Sequence, residues 1–547
     1  MKIRIAAVAV ALLATGATTE ALGCTNLIAG KGATADGSVM ITYSADSHNL
    51  YGMLSHTPAA DHPKGAMRKV VEWDTGKPLG EIPQVAHTYN VVGNMNEHQV
   101  VIGETTWGGH EELADTTGGS IIDYGSLIQI ALERSKTARE AIDVMTSLVD
   151  EFGYASEGES FSIADKNEVW VLEMIGKGAE KGAAWIAVRI PDNAISGHAN
   201  EPRIRKVDWN DTENVRYSPG LVDFARKRGY YTGSDEDFSF ADAFYDHTMD
   251  NRRACDARVW SYFRRFNDGA DSYYSWCAGE SDEPMPLYFV PDRKVSLAEM
   301  QLSMRDHFEG TPFNMTDDIG SGPNRVPYRW RPMAWEVDGK KYLHERAIAT
   351  QQTGWSFVSQ SRDFLPDEIG GVLWFGTDDT NTTVYMPFYC VLTEVPAQLG
   401  EGDIATFSMD SNFWMNNWVA NQAYNRYDLM IPDIRKVQEG LEGEFISGRP
   451  EREAYLQEVL AKKGRKALIA EVNAEGAAVA KKATDSYRDL AQFLLVRFMD
   501  GNMKNLDENG EFKRNDYGLP AYPSFPGYDS RYLENIVKET GDHFLIK

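Results

Sequence analysis

The chain has 547 residues, of which 42% are hydrophobic and 25% are charged, enough apolar material for a large packed core. Its formal net charge of −26 opposes binding to nucleic acid or to an anionic membrane surface. We therefore expect no nucleic-acid partner. Beyond the N-terminal segment no apolar stretch is long enough to predict a membrane span.

The first 23 residues are predicted to be a secretion signal. Lys2 and Arg4 give a charged start, residues 5–14 form an apolar run too short to be a permanent membrane helix, and residues 21–23 resemble a cleavage site. We expect export to the periplasm or the extracellular space. Cleavage after Gly23 makes Cys24 the first residue of the mature chain.

An exported cysteine at position one has two competing interpretations. In a bacterial lipoprotein the thiol carries diacylglycerol, and such sites usually have leucine three residues earlier, where this chain has Ala21. In an N-terminal nucleophile the thiol attacks a carbonyl while the α-amine, with a pKa of about 7.7–8.0, accepts its proton. A lipidated sulfur cannot attack, so each fate excludes the other. The N-terminus alone leaves both open.

The remaining cysteines and histidines indicate no metal site. Cys255 and Cys277 are the closer candidates for a disulfide, Cys390 is a third, and spacing does not decide whether any pair forms. There is no C-x-x-C motif, and residues 110–114 lack the second histidine of H-E-x-x-H. Residues 377–381 offer oxygen ligands for calcium but are more typical of a polar turn. We predict no metal and no organic cofactor.

The segment after Cys24 is predicted to be a β-hairpin. Residues 25–29 and 39–43 are β-prone, and glycines with Asp36 supply turn residues between them. Cys24 then opens a sheet edge and Asp46 lies just beyond the second strand. A carboxylate there suits the α-ammonium of Cys24. Asp46 also suits a turn cap within residues 44–47.

The next elements are strands, then helices, then strands again. Helical periodicity runs through residues 123–152, with strands predicted on both sides. This order favours an α+β fold over alternating βαβ units. The predicted strands are residues 85–92, 99–103, 161–164, 169–174 and 184–189.

The character of the chain changes near Asp433. Residues 308–394 are rich in aromatic and β-prone segments, whereas charged amphipathic helices with glycine-containing breaks are predicted after residue 433. We predict a catalytic domain over residues 24–432 and a helical extension over 433–547 that packs on it. A role of that extension in a homo-oligomer stays open. The predicted helices are residues 451–460, 467–472 and 484–498.

Several motifs together resemble the dipeptidase family of cysteine N-terminal-nucleophile hydrolases, which includes the secernins, and the resemblance runs from Cys24 to about Asp433. It implies a four-layer αββα fold, hydrolysis of dipeptides with broad side-chain tolerance, and Cys24 as nucleophile. The motifs are Cys24-Thr25-Asn26-Leu27-Ile28, Asp36-Gly37-Ser38, Asn96-Glu97, residues 103–109 (Gly-Glu-Thr-Thr-Trp-Gly-Gly), residues 329–332 (Arg-Trp-Arg-Pro) and residues 350–354 (Thr-Gln-Gln-Thr-Gly).

More distant relatives, the bile salt hydrolases and penicillin V acylases, imply roles for two residues after the second strand. Their R-x-x-D element is similar to residues 43–46, which keep the aspartate as Asp46 and have Tyr43 in place of the arginine. This departure puts guanidinium assistance to the thiol in doubt.

The same relatives imply an oxyanion site and a supporting arginine. Thr105 matches their oxyanion residue, through its backbone N–H, and Asn200 matches their second oxyanion donor. Arg258 resembles their arginine, although Arg252 and Arg253 lie close enough to confuse the match. A turn residue and a surface ion pair are the ordinary interpretations of Asn200 and Arg258.

The predicted function is an exported cysteine dipeptidase that acts on small peptide substrates through a thioester on Cys24. A dipeptidase must also bind the free ammonium of its substrate, and Glu104 and Asp46 are unranked candidates. Two alternatives remain: a related amidase acting on a non-peptide amide such as a conjugated bile acid or an acyl-lactone, and a lipid-anchored binding protein with Cys24 as its attachment site.

Overall fold

The computed structural model describes residues 23–114, 117 and 119–547. The predicted secretion signal, apart from Gly23, lies outside these residues. The described part contains twenty-one strands and fourteen α-helices.

The strands in chain order are β1 (Asn26–Ala29), β2 (Met40–Asp46), β3 (His56–Thr57), β4 (Ala60–Asp61), β5 (Met67–Val71), β6 (Pro78–Pro83), β7 (His87–Thr88), β8 (Val91–Val92), β9 (Met95–Asn96), β10 (Val101–Gly108), β11 (Gly158–Ala164), β12 (Val169–Lys177), β13 (Glu180–Ile190), β14 (Ile195–His198), β15 (Val215–Tyr217), β16 (Tyr288–Phe289), β17 (Ala334–Val337), β18 (Lys340–Leu343), β19 (Thr353–Gln360), β20 (Val372–Thr377) and β21 (Met386–Tyr389). The helices are α1 (Tyr124–Arg134), α2 (Ala138–Phe152), α3 (Leu221–Arg228), α4 (Phe240–Phe244), α5 (Met249–Ala254), α6 (Asp256–Arg264), α7 (Tyr274–Cys277), α8 (Leu297–Ser303), α9 (Asp367–Gly370), α10 (Asn412–Ala423), α11 (Tyr427–Ser447), α12 (Arg449–Lys463), α13 (Arg465–Phe498) and α14 (Ser530–Thr540).

Two antiparallel sheets dominate the fold. The first has seven strands in the order β16-β14-β1-β2-β19-β20-β21, and the second has eight in the order β15-β13-β12-β11-β10-β9-β8-β3. In the first sheet β2 lies between β1 and β19, with Asp46 opposite Thr353. Because β2 pairs with a strand on each side, the backbone next to Cys24 is rigid.

Successive side chains of a strand point to opposite faces of its sheet, and in the second sheet both faces are buried. Val101 and Val171 belong to the core that the two sheets share, whereas Ile102 and Trp170 pack with helices α1 and α2 on the opposite face. Contacts of β10 with β1 and β2 join the sheets. Helices α6, α8, α10, α11 and α13 contact strands of the first sheet. The prediction of an α+β fold is confirmed.

Several element bounds differ from the prediction. Strand β2 continues through Asp46, so this aspartate ends the strand instead of following it. The helical periodicity predicted over residues 123–152 corresponds to two helices, and Thr137 caps the start of α2 by accepting a hydrogen bond from Glu140 N–H. Residues 85–92 form only the short strands β7 and β8.

In the C-terminal region the predicted break between two helices is absent. Helix α13 runs without interruption from Arg465 to Phe498. Gly476 lies inside it, and a Cβ built there would come within 3.0 Å of a Leu392 methyl group. The glycine serves close packing against the first sheet and does not end the helix. A domain boundary at residue 433 stays a prediction, and α11 spans that position. Within the described residues no helix has the length and apolarity needed to cross a membrane.

Replacing Gly103 by alanine is expected to destabilise the fold. A Cβ at Gly103 would lie 2.3 Å from Asn26 Oδ1, at the contact between the two sheets. We expect Gly103→Ala to lower the free energy of unfolding by about 1–3 kcal/mol, measured by chemical denaturation. The matched control is Gly440→Ala in helix α11, where a Cβ meets no atom within 4 Å. That control is expected to stabilise by about 0.5–1 kcal/mol, and equal effects would contradict the packing argument.

Candidate active site

Cys24 lies at the start of the first sheet and is joined by hydrogen bonds to a buried carboxyl group. Its sulfur is 3.7 Å from Tyr43 Oη, and Tyr43 Oη donates to Glu104 Oε1 at 2.5 Å. A tyrosine has one O–H proton, which here goes to Glu104, so the thiol donates to Tyr43. Tyr43 thus stands where the R-x-x-D element of the distant relatives has its arginine. Its hydroxyl links the Cys24 thiol to Glu104.

Asp46 is fully buried and is held by three side chains. Arg346 Nη2 donates to Asp46 Oδ2 at 2.6 Å, Thr353 Oγ1 donates to Oδ1 at 2.6 Å, and Ser44 Oγ lies 3.1 Å from Oδ2. Arg346 also donates to the carbonyl oxygen of Gly23. The guanidinium beside Asp46 therefore comes from Arg346, far along the chain, and not from the position that Tyr43 occupies.

Arg258 is buried in helix α6 and spans the backbone around Cys24. Its Nη1 donates to the Cys24 carbonyl at 2.7 Å and to Thr25 Oγ1 at 2.9 Å. Its Nη2 donates to Asn200 Oδ1 at 2.9 Å. Arg252 and Arg253 bind elsewhere, the first to backbone carbonyls and the second to Glu345. The structure therefore places Arg258, and neither neighbour, at the site.

Asn200 follows strand β14 with a left-handed φ of 60°, a conformation that asparagine tolerates better than most residues. Its Nδ2 donates to the Thr106 carbonyl at 2.5 Å, and its oxygen faces Arg258. Asn200 is thereby fixed between β10 and α6. It lies two positions after the end of β14, the strand that pairs with β1.

The side chain of Thr105 does not enter the cleft at Cys24. Its Oγ1 lies 2.7 Å from His198 Nδ1, and Ser162 Oγ lies 2.7 Å from the other ring nitrogen. The flanking residues Glu104 and Thr106 line the cleft together with Cys24. Burial lowers the pKa of His198 to about 3, so this histidine is neutral. Its two ring nitrogens link strand β10, through Thr105, to strand β11, through Ser162. An oxyanion role of the Thr105 backbone stays a prediction.

Burial keeps the thiol of Cys24 protonated. It raises the pKa of Cys24 well above its usual value, and the carboxylates of Glu104 and then Asp46 raise it further. A protonated thiol attacks slowly and needs a base.

Asp46 and Arg346 form a buried ion pair, and desolvation disfavours the charged form of both side chains. Burial raises the pKa of Asp46 to about 6, while Arg346 and then Thr353 oppose that rise. Burial, followed by repulsion from Arg258, lowers the pKa of Arg346 to about 9. Asp46 is therefore a carboxylate at neutral pH and loses its charge in mildly acidic solution.

Glu104 has a second buried carboxyl beside it. Burial raises the pKa of both Glu104 and Glu159, and the Glu104 charge raises that of Glu159 further. Thr106 Oγ1 donates to Glu159 Oε1 at 2.6 Å. Two carboxyl groups this close favour sharing one proton until a cation compensates them.

A cavity of about 320 Å³ opens next to this site. The cleft at Cys24 and the cavity share Glu104, Tyr43, Tyr124, Trp73 and Trp355. Trp73 follows strand β5, and its backbone N–H donates to Asp123 Oδ2 at 2.9 Å. The tip of the β5–β6 hairpin thus forms one wall. Among the described residues that line either space there is no lysine, arginine or histidine.

The disulfide, metal and calcium sites considered from the sequence lie within the described residues of the fold. All four cysteines lie in the described part and are free, so the candidate Cys255–Cys277 disulfide is absent. Across the described residues no group of three or more histidine, cysteine or acidic side chains is placed to hold a metal ion. In residues 377–381, interpreted from the sequence as a polar turn, Asn381 donates to Tyr328 and Asp378 accepts a hydrogen bond from Asn417.

Sequence reasoning missed four residues at this site. Arg346 follows Glu345 in a segment without a recognisable pattern, so nothing in the sequence pointed to it. Thr353 stands within the quoted Thr-Gln-Gln-Thr-Gly motif, which was a usable signal. Glu159 and Tyr124 come from strand β11 and helix α1, and only the pairing of β10 with β11 and the packing of α1 bring them to Glu104.

Comparison with known proteins gives a consistent family. Residues 23–440 match the model of peptidase family C69. A probable dipeptidase from Salmonella dublin is 28% identical over 407 residues, covering 70% of this chain and 84% of that protein. A probable dipeptidase from Latilactobacillus sakei is 25% identical, covering 68% and 74%. Dipeptidase A from Lactobacillus helveticus is 24% identical, covering 74% and 82%. The chain therefore belongs to peptidase family C69, which confirms the predicted membership of the dipeptidase family of cysteine peptidases.

Proposed function

We propose that this protein is an exported dipeptidase that hydrolyses dipeptides through Cys24, as the first residue of the mature chain, by way of a thioester. The observation that carries the proposal is the connection from Cys24 through Tyr43 to Glu104. It places a carboxyl group beside the nucleophile, in a cleft whose described lining contains no basic side chain. A dipeptide brings an ammonium group within two bonds of the carbonyl carbon that is attacked, and Glu104 suits that ammonium.

Glu104 is a better ammonium site than Asp46. The Asp46 carboxylate is already held by Arg346, Thr353 and Ser44. Glu104 receives a hydrogen bond from Tyr43 and also interacts with the Glu159 carboxyl and the Cys24 thiol, neither of which is a cation. A buried acidic pair without a nearby cation is costly, so binding of an ammonium there is favoured.

The chemistry follows from the protonated thiol. The free α-amine of Cys24 takes the thiol proton, the sulfur bonds to the substrate carbonyl carbon, and the resulting ammonium returns the proton to the leaving amine as the C–N bond breaks. Water then cleaves the thioester by the same exchange. Asp46, paired with Arg346, orients the α-amine, and no metal or organic cofactor takes part in these steps.

Charge on the carbonyl oxygen needs donors near Cys24. We assign this role to the Asn200 amide and the Thr105 backbone N–H, each contributing about 3–4 kcal/mol in a water-poor site. Arg258 supports them, because it binds both the Cys24 carbonyl and Asn200. The layers of helix, sheet, sheet and helix support the four-layer N-terminal-nucleophile arrangement as part of the same proposal.

The proposed function is tested by comparing three substrates with the processed enzyme. We expect hydrolysis of Ala-Ala and no detectable hydrolysis of N-acetyl-Ala-Ala, whose blocked amine cannot pair with Glu104. Hydrolysis of a conjugated bile acid or an acyl-lactone with no activity on dipeptides would instead support the amidase. A protein inactive on all of them, with diacylglycerol on Cys24, would be the anchored binding protein.

Replacing Glu104 by glutamine is expected to raise KM for Ala-Ala by about 10- to 150-fold, because a charge-assisted hydrogen bond to the substrate ammonium contributes about 1.5–3 kcal/mol. Initial rates over a range of substrate concentrations measure this. The control is Glu72→Gln in the tip of the β5–β6 hairpin, since Glu72 lines neither the cleft nor the cavity. An unchanged KM in Glu104→Gln would remove the assigned ammonium site.

A further inference from the structure

The cavity beside Cys24 is built for an apolar side chain. Its volume of about 320 Å³ is at the lower end of the range for small-molecule sites. The walls are mainly aromatic and aliphatic: Trp73, Trp355 and Tyr124 are shared with the cleft, whereas Met53, Ile128 and Leu132 line the cavity alone. Glu104, at the junction with the cleft, is the charged residue of the described lining.

The position of Glu104 decides which part of a dipeptide faces the cavity. The ammonium and the side chain of the N-terminal residue are bonded to the same Cα. An ammonium held by Glu104 therefore places that side chain at the shared boundary of cleft and cavity. The C-terminal residue lies on the other side of the bond to be broken, and its carboxylate is repelled by the acidic pair Glu104 and Glu159.

We propose that the cavity binds the side chain of the N-terminal residue and that the enzyme prefers dipeptides beginning with an aromatic residue. This inference rests on the proposed function. Flat rings match walls formed by Trp73 and Trp355, because offset and edge-to-face ring contacts add to the burial of area. Ser55, Thr57 and Gln129 also line the cavity and provide polar atoms, which suits a tyrosine hydroxyl as well as a phenylalanine ring.

The test compares kcat/KM for Phe-Ala, Tyr-Ala, Ala-Phe and Ala-Ala with the processed wild-type enzyme. We expect Phe-Ala and Tyr-Ala to exceed Ala-Ala by about tenfold or more, since even one methylene in an apolar pocket changes kcat/KM by about 10-fold or more. Ala-Phe is expected to stay close to Ala-Ala.

A variant that fills the cavity tests whether the preference for an N-terminal aromatic residue arises there. Met53 lines the cavity and is 40% exposed, so Met53→Trp narrows the space without disturbing the core. We expect this variant to reduce the ratio of kcat/KM for Phe-Ala to kcat/KM for Ala-Ala about tenfold. The matched control is Met67→Trp on strand β5, at a residue that is 51% exposed and lies outside the lining.

The outcomes separate this inference from the function on which it rests. A preference for Ala-Phe, or a Phe-Ala preference that Met53→Trp leaves unchanged, would overturn the cavity assignment and leave the dipeptidase intact. Failure to hydrolyse any of the four dipeptides would overturn the proposed function, and the cavity assignment with it.

Discussion

Replacing Cys24 by alanine is expected to lower kcat/KM for Ala-Ala by at least about 10³-fold, with the fold retained. In the proposed mechanism the sulfur is the attacking atom, and no other cysteine is among the described residues that line the cleft. The shortened side chain leaves Tyr43, Arg258 and their partners in place. Initial rates measured on processed protein, with circular dichroism as the check on folding, give the result.

The matched control removes a different buried thiol. Cys390 is fully buried just after the end of strand β21, its sulfur lies 3.3 Å from the Asp367 carbonyl, and it does not line the cleft. We expect Cys390→Ala to lower stability slightly and to keep the turnover rate. Near wild-type turnover in Cys24→Ala would contradict the nucleophile assignment.

The second large effect is expected from Arg346→Gln. Removing one partner of a buried ion pair leaves an uncompensated charge and costs about 3–5 kcal/mol. Arg346 opposes the rise in the pKa of Asp46, so its loss moves that pKa above about 6. Asp46 acts as a carboxylate, and activity falls as pH drops through its pKa. We therefore expect about 100-fold lower kcat/KM at pH 7 and an acidic limb of the pH profile shifted to higher pH.

Two further variants show whether Arg346 acts through Asp46. Arg346→Lys retains a positive charge and is expected to restore part of the activity and to move the acidic limb back toward pH 6. Arg331→Gln is the control, because Arg331 lies nearby and binds Gln352 instead of Asp46. A loss of activity in Arg346→Gln with an unshifted pH profile would indicate a purely structural role.

The elements near Cys24 were predictable because their signals are local. β-prone residues with turn glycines predicted the β1–β2 hairpin, and the motif over residues 103–109 marked Glu104, which lies in strand β10. The choice between Arg258 and its neighbours was harder, since all three lie on adjacent short helices. Only the packing of α6 against β14 selects Arg258.

The remainder of the site depends on contacts between distant segments. Arg346 reaches Asp46 from a residue 300 positions away, and no periodicity or motif encodes that contact. The cavity needs the β5–β6 hairpin tip, helix α1 and strand β19 to meet at one place. The helical periodicity over residues 123–152 was predictable, whereas the break between α1 and α2 was not, because apolar periodicity continues across it and its local signal is the cap at Thr137.

The central claim, that Cys24 is a free N-terminal nucleophile, is tested most directly by the intact mass and N-terminal sequence of the protein exported by its native host. The account predicts a chain that starts at unmodified Cys24, with the thiol and α-amine both available. A diacylglyceryl group on Cys24, or a mature chain that starts at another residue, would contradict it.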